Sequence, residues 1–297
     1  MQKIISVLLF YLLVASCCYE KPYSSDVWNF NKQQADSLSF YLTHHYTQNF
    51  NFSVRSDSLC LVVQSPSEFL SGFSVDTICV YNSDKIVVAD ITKMPSDTLD
   101  SIWVKVARDQ LTIGWIRETE LLSGVTPDTP ISILLDYSSH VNIIIGFTLL
   151  ALFCFLFPLR RFLNIGSKMV FFNDIQSFYP KMLCLLVATS AVLYSSILLF
   201  AHDSWLHFYY NPTLNPFVLP LHLAAFLLFV WGVIIFCIAT IEDVFKILCP
   251  NEAFFYLLGL FGACFLFYLL FRVLTFYYVG YLLYSFFVYF QLRFFYK

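Results

Sequence analysis

The sequence has few charged residues and none of the motifs that mark the common enzyme classes. Charged residues make up 12% of the 297 residues, whereas they are about a quarter of an average soluble protein. The chain contains no Walker loop, no His-Glu-x-x-His zinc motif, no Gly-x-Ser-x-Gly elbow and no dinucleotide-binding fingerprint. We therefore predict a protein that is not an enzyme, with no cofactor and no nucleic-acid partner.

The few charged residues are concentrated in the first half of the chain. Residues 18–140 hold 15 of the 20 acidic residues and 8 of the 17 basic residues. Residues 141–297 are mostly apolar, and hydrophobic residues make up 59% of the whole chain. The chain is therefore predicted to divide near residue 140 into a water-exposed part and a membrane part.

The first 16 residues predict a secretory signal peptide. One Lys precedes an apolar run from Ile4 to Ala15, which is too short to cross a hydrocarbon core about 30 Å thick as a helix. The end of the run, Val-Ala-Ser-Cys, resembles the bacterial lipobox, in which the Cys is acylated after cleavage. The resemblance implies that Cys17 is lipidated and that the residues after it lie outside the cytoplasm. The alternative is ordinary signal cleavage that leaves Cys17 and Cys18 as free thiols.

Five apolar stretches in the second part predict membrane-spanning helices. They are residues 141–159, 182–201, 218–240, 253–271 and 273–291. Each has about the 20 residues that a helix needs to cross the bilayer. None contains Asp, Glu, Lys or Arg. Pumps, ion-coupled carriers and voltage sensors place charged groups inside the bilayer, so none of these is expected.

Lys and Arg residues predict the orientation. If the first part lies outside the cytoplasm, seven Lys and Arg residues of the second part lie in cytoplasmic loops or in the tail. Only Arg272, in the turn between the last two stretches, lies outside. This asymmetry agrees with the positive-inside rule. We expect a multi-pass protein of the bacterial inner membrane, with an extracytoplasmic N-terminal domain and a cytoplasmic C-terminus.

Residues 26–48 predict a helix at the start of the extracytoplasmic domain. Leu38, Tyr41, Leu42 and His45 recur at helical spacing and form one face. Beyond residue 50 the apolar period changes to two, which predicts strands.

The alternation after residue 50 predicts five strands. They are residues 58–64, 76–81, 85–91, 101–107 and 112–118. In the fourth strand, Ile102, Val104 and Val106 face one side, and Trp103 and Lys105 face the other. Turn-forming Ser, Pro, Asp and Gly residues separate the strands.

The stretch IWVKVARDQLTIGWIRETELL resembles the end of bacterial SH3-like domains, where a strand carrying Trp and Lys pairs with a strand that begins Gly-Trp-Val/Ile. The resemblance covers residues 52–122. It implies a small five-stranded barrel that binds peptides, cell-wall fragments or protein segments, with residues 66–75 and 92–100 as the loops beside the groove. The predicted fold class is an α+β multidomain membrane protein, in which a small SH3-like β-barrel ectodomain precedes an all-α bundle of five transmembrane helices.

The predicted domain boundaries come from these patterns. They are residues 1–16 as signal peptide, 17–51 as an N-terminal helical segment, 52–124 as the barrel, 125–140 as linker or pre-membrane helix, and 141–297 as the transmembrane domain. Thr129 is a candidate N-cap and Pro130 suits a first helical position. A helix that begins there could continue into the membrane. The alternative is a surface turn before a separate span.

Exposed aromatic residues of the barrel are candidates for ligand binding. Tyr81, Trp103 and Trp115 could form an aromatic shelf, because aromatic anchors in a polar surround are typical of binding sites. An acidic rim suited to a basic partner would come from Asp97, Asp100, Glu118 and Glu120. The alternative is that both Trp residues pack the barrel and the acids keep its surface soluble.

The cysteines give one candidate disulfide and no zinc pattern. Cys60 and Cys79 lie on two predicted strands in an oxidising compartment and could pair if those strands are neighbours. A buried free thiol is the state that we favour for each. Five further cysteines lie in or beside the apolar stretches without the paired spacing of a zinc site.

One external loop holds the residues most suited to chemistry in the membrane part. His202, Asp203 and His207 lie there with His222 near the next span, and imidazole with carboxylate is a plausible set for metal binding or proton transfer. His202 and His207 are five residues apart, a spacing that does not place them on one face of a helix. The aromatic residues of the loop favour a structural anchor at the membrane interface.

The combined pattern predicts a non-catalytic envelope protein. Its SH3-like domain would bind a peptide, a cell-wall fragment or an envelope protein, with membrane lipid around its spans. One alternative is an enzyme that acts on a lipid-linked substrate at His202, Asp203 and His207. Another is a channel or transporter subunit.

Overall fold

The structure, a computed structural model, describes residues 39–72, 74–165 and 177–295. The chain forms two compact units. The membrane unit holds the described residues from His140 to Trp205 and from Thr213 onward. The sheet unit holds the described residues up to Ser139 together with Leu206–Pro212. The boundary at Ser139 agrees with the change in composition near residue 140.

From residue 50 to residue 139, the described part of the sheet unit contains seven strands and three short helices. The strands are β1 Asn51–Val54, β2 Ser58–Val62, β3 Thr77–Tyr81, β4 Lys85–Lys93, β5 Ile102–Ala107, β6 Ile113–Arg117 and β7 Val125–Pro127. The helices are α1 Pro66–Leu70, α2 Glu118–Gly124 and α3 Pro130–Ser139. All five strands predicted from the alternation are present, and β1 and β7 are additional.

The strands form one antiparallel sheet in the order β3-β2-β6-β5-β4-β1-β7. Strand β2 approaches β6 so closely that only a glycine fits at Gly114, where a Cβ atom would lie 2.6 Å from the Cβ of Leu61. The sheet is larger than the five strands that the SH3-like resemblance implies, because β1 and β7 extend it beyond β4.

The core of the sheet unit lies on one face of β5. Ile102, Val104 and Val106 belong to a buried cluster that includes Phe52 and Leu61. Trp103, which alternates with them, lies on the opposite face of the strand. The predicted assignment of the two faces is confirmed.

The helix before the sheet is described only over residues 39–44. It ends at His45, whose φ of 66° is left-handed. Phe40 and Tyr46 are buried, whereas Leu42 is 55% exposed. Leu42, a member of the predicted helical face, is therefore not buried with Phe40 and Tyr46. The rest of the predicted helix, residues 26–38, lies outside the described residues.

Helix α3 begins where the sequence predicts and stops before the membrane helix. The Thr129 hydroxyl accepts a hydrogen bond from the Ser132 backbone N–H at 3.2 Å, so Thr129 acts as the N-cap. The helix ends at Ser139, and a separate helix begins at Val141. A helix therefore begins at Pro130, but it does not continue into the helix that begins at Val141.

Four helices in the described part of the membrane unit are long and apolar enough to cross a bilayer. The helices are α4 Val141–Ile165, α5 Tyr179–Phe200, α6 His202–Tyr210, α7 Leu221–Ile247, α8 Pro250–Phe276 and α9 Val279–Phe295. The four candidate spans are Val141–Pro158, Tyr179–Phe200, Leu221–Ile247 and Pro250–Phe276. The apolar part of α9, Val279–Gln291, is shorter. These helices indicate a membrane protein with four clear spans, where the sequence predicts five.

The predicted external turn at Arg272 is wrong. Helix α8 continues to Phe276, so Arg272 lies inside its last turns. The chain turns instead at Tyr277 and Tyr278, and Tyr278 has a left-handed φ of 60°. An apolar stretch shows where a helix can be in lipid, but it does not show where that helix ends.

Helix α5 is central to the membrane unit, because α7 and α8 both pack along it. Two hydrogen bonds between hydroxyl groups link α5 to α9. The Thr189 hydroxyl lies 2.8 Å from that of Tyr284, and the Ser196 hydroxyl lies 2.8 Å from that of Tyr281. Close approach of α8 to α4 depends on Gly262, where a Cβ atom would lie 2.8 Å from the Ala151 carbonyl oxygen. Small residues and interhelical hydrogen bonds are the usual means of helix packing in membranes.

Candidate functional site

One of the two loops predicted to flank a groove folds over the sheet. The β2–β3 connection contains helix α1, which begins after the capping residue Ser65. The ring of Phe69, on this helix, lies 5.4 Å from the ring of Trp103 on β5. Helix α1, which lies in one of the two loops expected beside a groove, therefore covers Trp103 on the outer face of the sheet.

Arg117 completes an aromatic stack with these two residues. It is the cross-strand neighbour of Trp103 on β6. Its guanidinium carbon lies 5.2 Å from the Trp103 ring centroid and 5.6 Å from that of Phe69. Cations prefer such positions over aromatic faces because the ring quadrupole is negative there.

Asp97 holds the stack in place through hydrogen bonds. Its carboxylate accepts hydrogen bonds from Arg117 Nε at 2.8 Å, from Trp103 Nε1 at 3.1 Å and from the Leu99 backbone N–H at 3.0 Å. The Arg117 guanidinium, with the Leu99 amide, holds the pKa of Asp97 below its ordinary value. We call Phe69, Asp97, Trp103 and Arg117 the Trp103 cluster.

The predicted aromatic shelf is not formed. Trp103 is only 2% exposed and Asp97 only 8% exposed. Trp115 lies half-buried beneath the Lys105 ammonium, 5.6 Å from its ring centroid. Tyr81 is exposed on the edge strand β3. The structure thus brings together two of the predicted residues, Trp103 and Asp97, and leaves Trp115 and Tyr81 outside the cluster.

The other predicted acids have structural partners. Asp100 accepts hydrogen bonds from the backbone N–H groups of Ile102 and Thr119, at 3.0 and 2.8 Å. Glu118 is buried and accepts a hydrogen bond from the Tyr46 hydroxyl at 2.6 Å. Glu120, on α2, is exposed. Asp97, Asp100 and Glu118 therefore do not form a free acidic rim.

Glu118 also pairs with a histidine. His44 Nδ1 lies 2.8 Å from Glu118 Oε1. Burial, and then the hydrogen bond to Glu118, raises the pKa of Tyr46 well above its ordinary value. Tyr46 therefore stays protonated and acts as a fixed donor inside the sheet unit.

The predicted histidine site of the external loop is not formed as a metal site. His202 and Asp203 are exposed in the first turn of α6. His207 instead lies 3.1 Å, Nε2 to hydroxyl, from Tyr41 of the sheet unit. Over the residues that the structure describes, no group of three or more His, Cys, Asp or Glu side chains could hold a metal ion.

Part of this loop belongs to the sheet unit, which no pattern in the sequence indicates. The ring of Tyr210 lies 5.9 to 6.3 Å from the rings of Tyr46, Phe50 and Phe52. Burial raises the pKa of Tyr210 to about 12. The aromatic run around it predicts a membrane-interface anchor from sequence, because lipid interfaces and protein cores accept the same residue types.

Hydrogen bonds hold the same segment in position. The Ser132 hydroxyl donates to the Tyr209 carbonyl at 2.5 Å. The Asn211 amide donates to the Tyr41 hydroxyl and to the His45 carbonyl, both at 3.3 Å. Leu206–Pro212, which we call the loop segment, therefore has packing and polar contacts on several parts of the sheet unit.

Cys60 and Cys79 form a disulfide. They are directly opposite each other on the neighbouring strands β2 and β3. Cys60 is exposed and Cys79 is half-buried, so the favoured prediction of buried free thiols is wrong. The bond closes the base of the connection that carries α1. The predicted lipidation residue, Cys17, lies outside the described residues.

Comparison with protein-family models, with curated proteins and with solved structures finds no match for this chain.

Proposed function

We propose that the protein is a non-catalytic bacterial envelope membrane protein whose extracytoplasmic SH3-like domain binds a peptide, cell-wall or envelope-protein ligand. The observation that supports the proposal is the Trp103 cluster, because it joins Phe69 and Asp97, which come from the two loops that the resemblance implies beside a groove. Trp and Arg are the residue types that dominate binding energy at interfaces. The antiparallel strands β5 and β6 support the resemblance in that part of the chain.

In this proposal helix α1 acts as the cover of the groove. It has five residues and contacts Trp103 and Arg117 through Phe69. A helix this short has little stability of its own. A ligand that supplies an apolar or aromatic group could therefore displace Phe69 and stack on Trp103 and Arg117.

Site-specific photo-crosslinking in intact envelopes tests this function. A photoreactive amino acid at Leu70, on the exposed side of α1, should capture the ligand, and mass analysis of the adduct distinguishes peptide, glycan and protein. The matched control is Leu111, which is exposed on the β5–β6 turn. Adding Trp103→Ala should abolish the adduct at Leu70. Equal capture at both positions, or capture that persists without Trp103, would contradict a groove at this site.

We further propose that the membrane unit scaffolds the sheet unit through the loop segment. The segment lies between α5 and α7 in the chain, while Tyr210 packs in the aromatic core of the sheet unit. A displacement of that core would thus move residues that are covalently continuous with two membrane-capable helices. This is the route by which ligand binding could be relayed.

The proposed topology has five crossings, with α9 as the fifth. Its 17 residues correspond to about 25 Å of helix, slightly less than the hydrocarbon thickness of about 30 Å. A reporter fused after Lys297 tests the count, because five crossings place it in the cytoplasm when the sheet unit is outside. If the reporter fused after Lys297 is found outside the cytoplasm, the protein has four crossings instead of five.

A further inference from the structure

The membrane unit contains an apolar cavity between α7 and α8. Its volume is about 290 Å³ and it is open on one side. Val187 and Ser190 of α5 form its floor, Val233 and Cys237 of α7 one wall, and α8 the other. The cavity exists because α7 and α8 each pack closely on α5 but make little contact with each other.

The exposed surface of α7 beside the cavity is apolar. The α7 residues Ile234, Ile235 and Ile238, which alternate with the wall residues, are exposed. Both wall helices are candidate spans. A cavity in this position is reached from the bilayer, so the group that fits it is a hydrocarbon chain.

A positive charge lies at one end of the cavity. Tyr268 of α8 lines the cavity, and Arg272 lies four residues later, about 6 Å further along the helix. The Arg272 guanidinium lies close enough to the Tyr268 hydroxyl to interact with it and is 5.2 Å from the ring centroid of Tyr194 on α5. That ring in turn contacts Phe226 of α7, so Arg272 of α8 lies beside a residue of α5 that also packs against α7.

Arg272 has no carboxylate partner among the residues that the structure describes. Within those residues, the membrane unit has one ion pair, between Lys246 and Glu242. A charged residue in a membrane helix is costly unless it is paired or reaches an interface. Arg binds phosphate oxygens in bidentate geometry, so the phosphate of a lipid headgroup is a suitable partner for it. An anionic partner for Arg272 would therefore come from outside the described chain.

We propose that this cavity and Arg272 form a binding site for an anionic phospholipid, with the lipid phosphate at Arg272 and one acyl chain between α7 and α8. The inference is independent of the proposed ligand-binding function of the sheet unit. It assigns both the apolar cavity and the unpaired charge to a single molecule, which the surrounding bilayer supplies.

Photolabelling of the full-length protein in phosphatidylcholine vesicles tests the site. The first probe is a phosphatidylglycerol with a diazirine in one acyl chain, and the second is an uncharged diacylglycerol with the same chain. Label from the first probe should concentrate on the α5, α7 and α8 peptides that line the cavity. Excess inorganic phosphate should not compete, because it has no chain to bury.

Two variants separate the two parts of the site. Arg272→Gln should reduce phosphatidylglycerol labelling roughly tenfold, as expected for a lost charged hydrogen bond, and should leave diacylglycerol labelling unchanged. Val233→Trp fills the cavity and should reduce labelling by both probes. The matched controls are Ile234→Trp, on the outer side of α7, and Arg293→Gln, on α9; neither should change labelling.

Several outcomes would overturn the proposal. Unchanged phosphatidylglycerol labelling in Arg272→Gln would contradict a contact between the lipid phosphate and Arg272. Equal losses of labelling in Val233→Trp and Ile234→Trp would contradict binding of an acyl chain in the cavity. Competition by inorganic phosphate would identify a free anion as the ligand. Elution volume and melting temperature must match the wild type for each variant, and Val233→Phe replaces Val233→Trp if the larger side chain prevents folding.

Discussion

Replacing Tyr210 by Ala should destabilise the sheet unit, although Tyr210 lies between two membrane helices in the sequence. Its ring contacts those of Tyr46, Phe50 and Phe52. It is a half-buried member of the core of the sheet unit. Loss of the ring removes these contacts and leaves a gap beside β1.

The magnitude can be worked out from the burial and the ring contacts. Truncating a fully buried Phe or Trp to Ala costs about 3–5 kcal/mol, and each aromatic pair contributes about 0.5–1.5 kcal/mol beyond its buried area. Because Tyr210 is half-buried, we expect a loss of about 2 kcal/mol, which corresponds to about a 30-fold change in the opening equilibrium. Tyr210→Phe keeps the ring and should change stability by less than about 0.5 kcal/mol.

Amide hydrogen exchange of the full-length protein in detergent measures this effect locally. Peptides that cover β1 and β4 should exchange about 30-fold faster in Tyr210→Ala. The control is Phe217→Ala, because Phe217 lies in the same connection between α5 and α7 and is 91% exposed. Unchanged protection of β1 in Tyr210→Ala would refute the assignment of the loop segment to the sheet unit, and so would an equal loss in Phe217→Ala.

Three further predictions concern the sheet unit. Cys60 and Cys79 are 19 residues apart, and replacing both by Ser should lower the unfolding free energy of the sheet unit by about 3 kcal/mol, the loop-closure value for a loop of that order, as measured by denaturant titration. Equal stability with and without reductant in the wild type would contradict this. Gly114→Ala should cost at least about 1–3 kcal/mol through overpacking, whereas Gly146→Ala, where nothing lies within 4 Å of the added Cβ, should not move the melting temperature of the sheet unit. Because Arg117 lowers the pKa of Asp97 in the folded chain, the Asp97 carboxylate stabilises the fold above about pH 4, and that contribution is lost as the pH falls through the lowered value. Asp97→Asn should therefore melt lower than wild type near neutral pH and show a flatter decline in acid; parallel pH profiles would contradict the role of this carboxylate.

The strands were predictable because their signal is local. Alternation in residues 101–107 assigns β5 and its two faces, since successive side chains of a strand point to opposite sides. The two strands that sequence reasoning missed, β1 and β7, have four and three residues. A segment of that length contains too few alternations to be distinguished from a loop.

The position of Trp103 on the outer face of β5 was predictable from the alternation, but its partners were not. The resemblance implies loops at residues 66–75 and 92–100, and the structure shows that α1, in the first of them, contacts Trp103 on β5. The burial of Trp103 agrees with the alternative in which the Trp residues pack against the barrel. The residue that covers it, Phe69, comes from a distant part of the chain and could not be predicted. An alternating strand shows that a side chain faces outward from the core, but it does not show whether another segment covers it.

The sequence alone determined the partition into a polar part and an apolar part, together with the helical or extended character of most segments. These properties depend on hydropathy and period, which are set by neighbours in the chain. Only the tertiary structure decided that Leu206–Pro212 belongs to the sheet unit, that Arg272 lies inside α8, and that Asp97 and Glu118 are interior partners. Each of these outcomes depends on contacts between residues far apart in sequence, and aromatic or charged side chains suit more than one environment until such contacts select one.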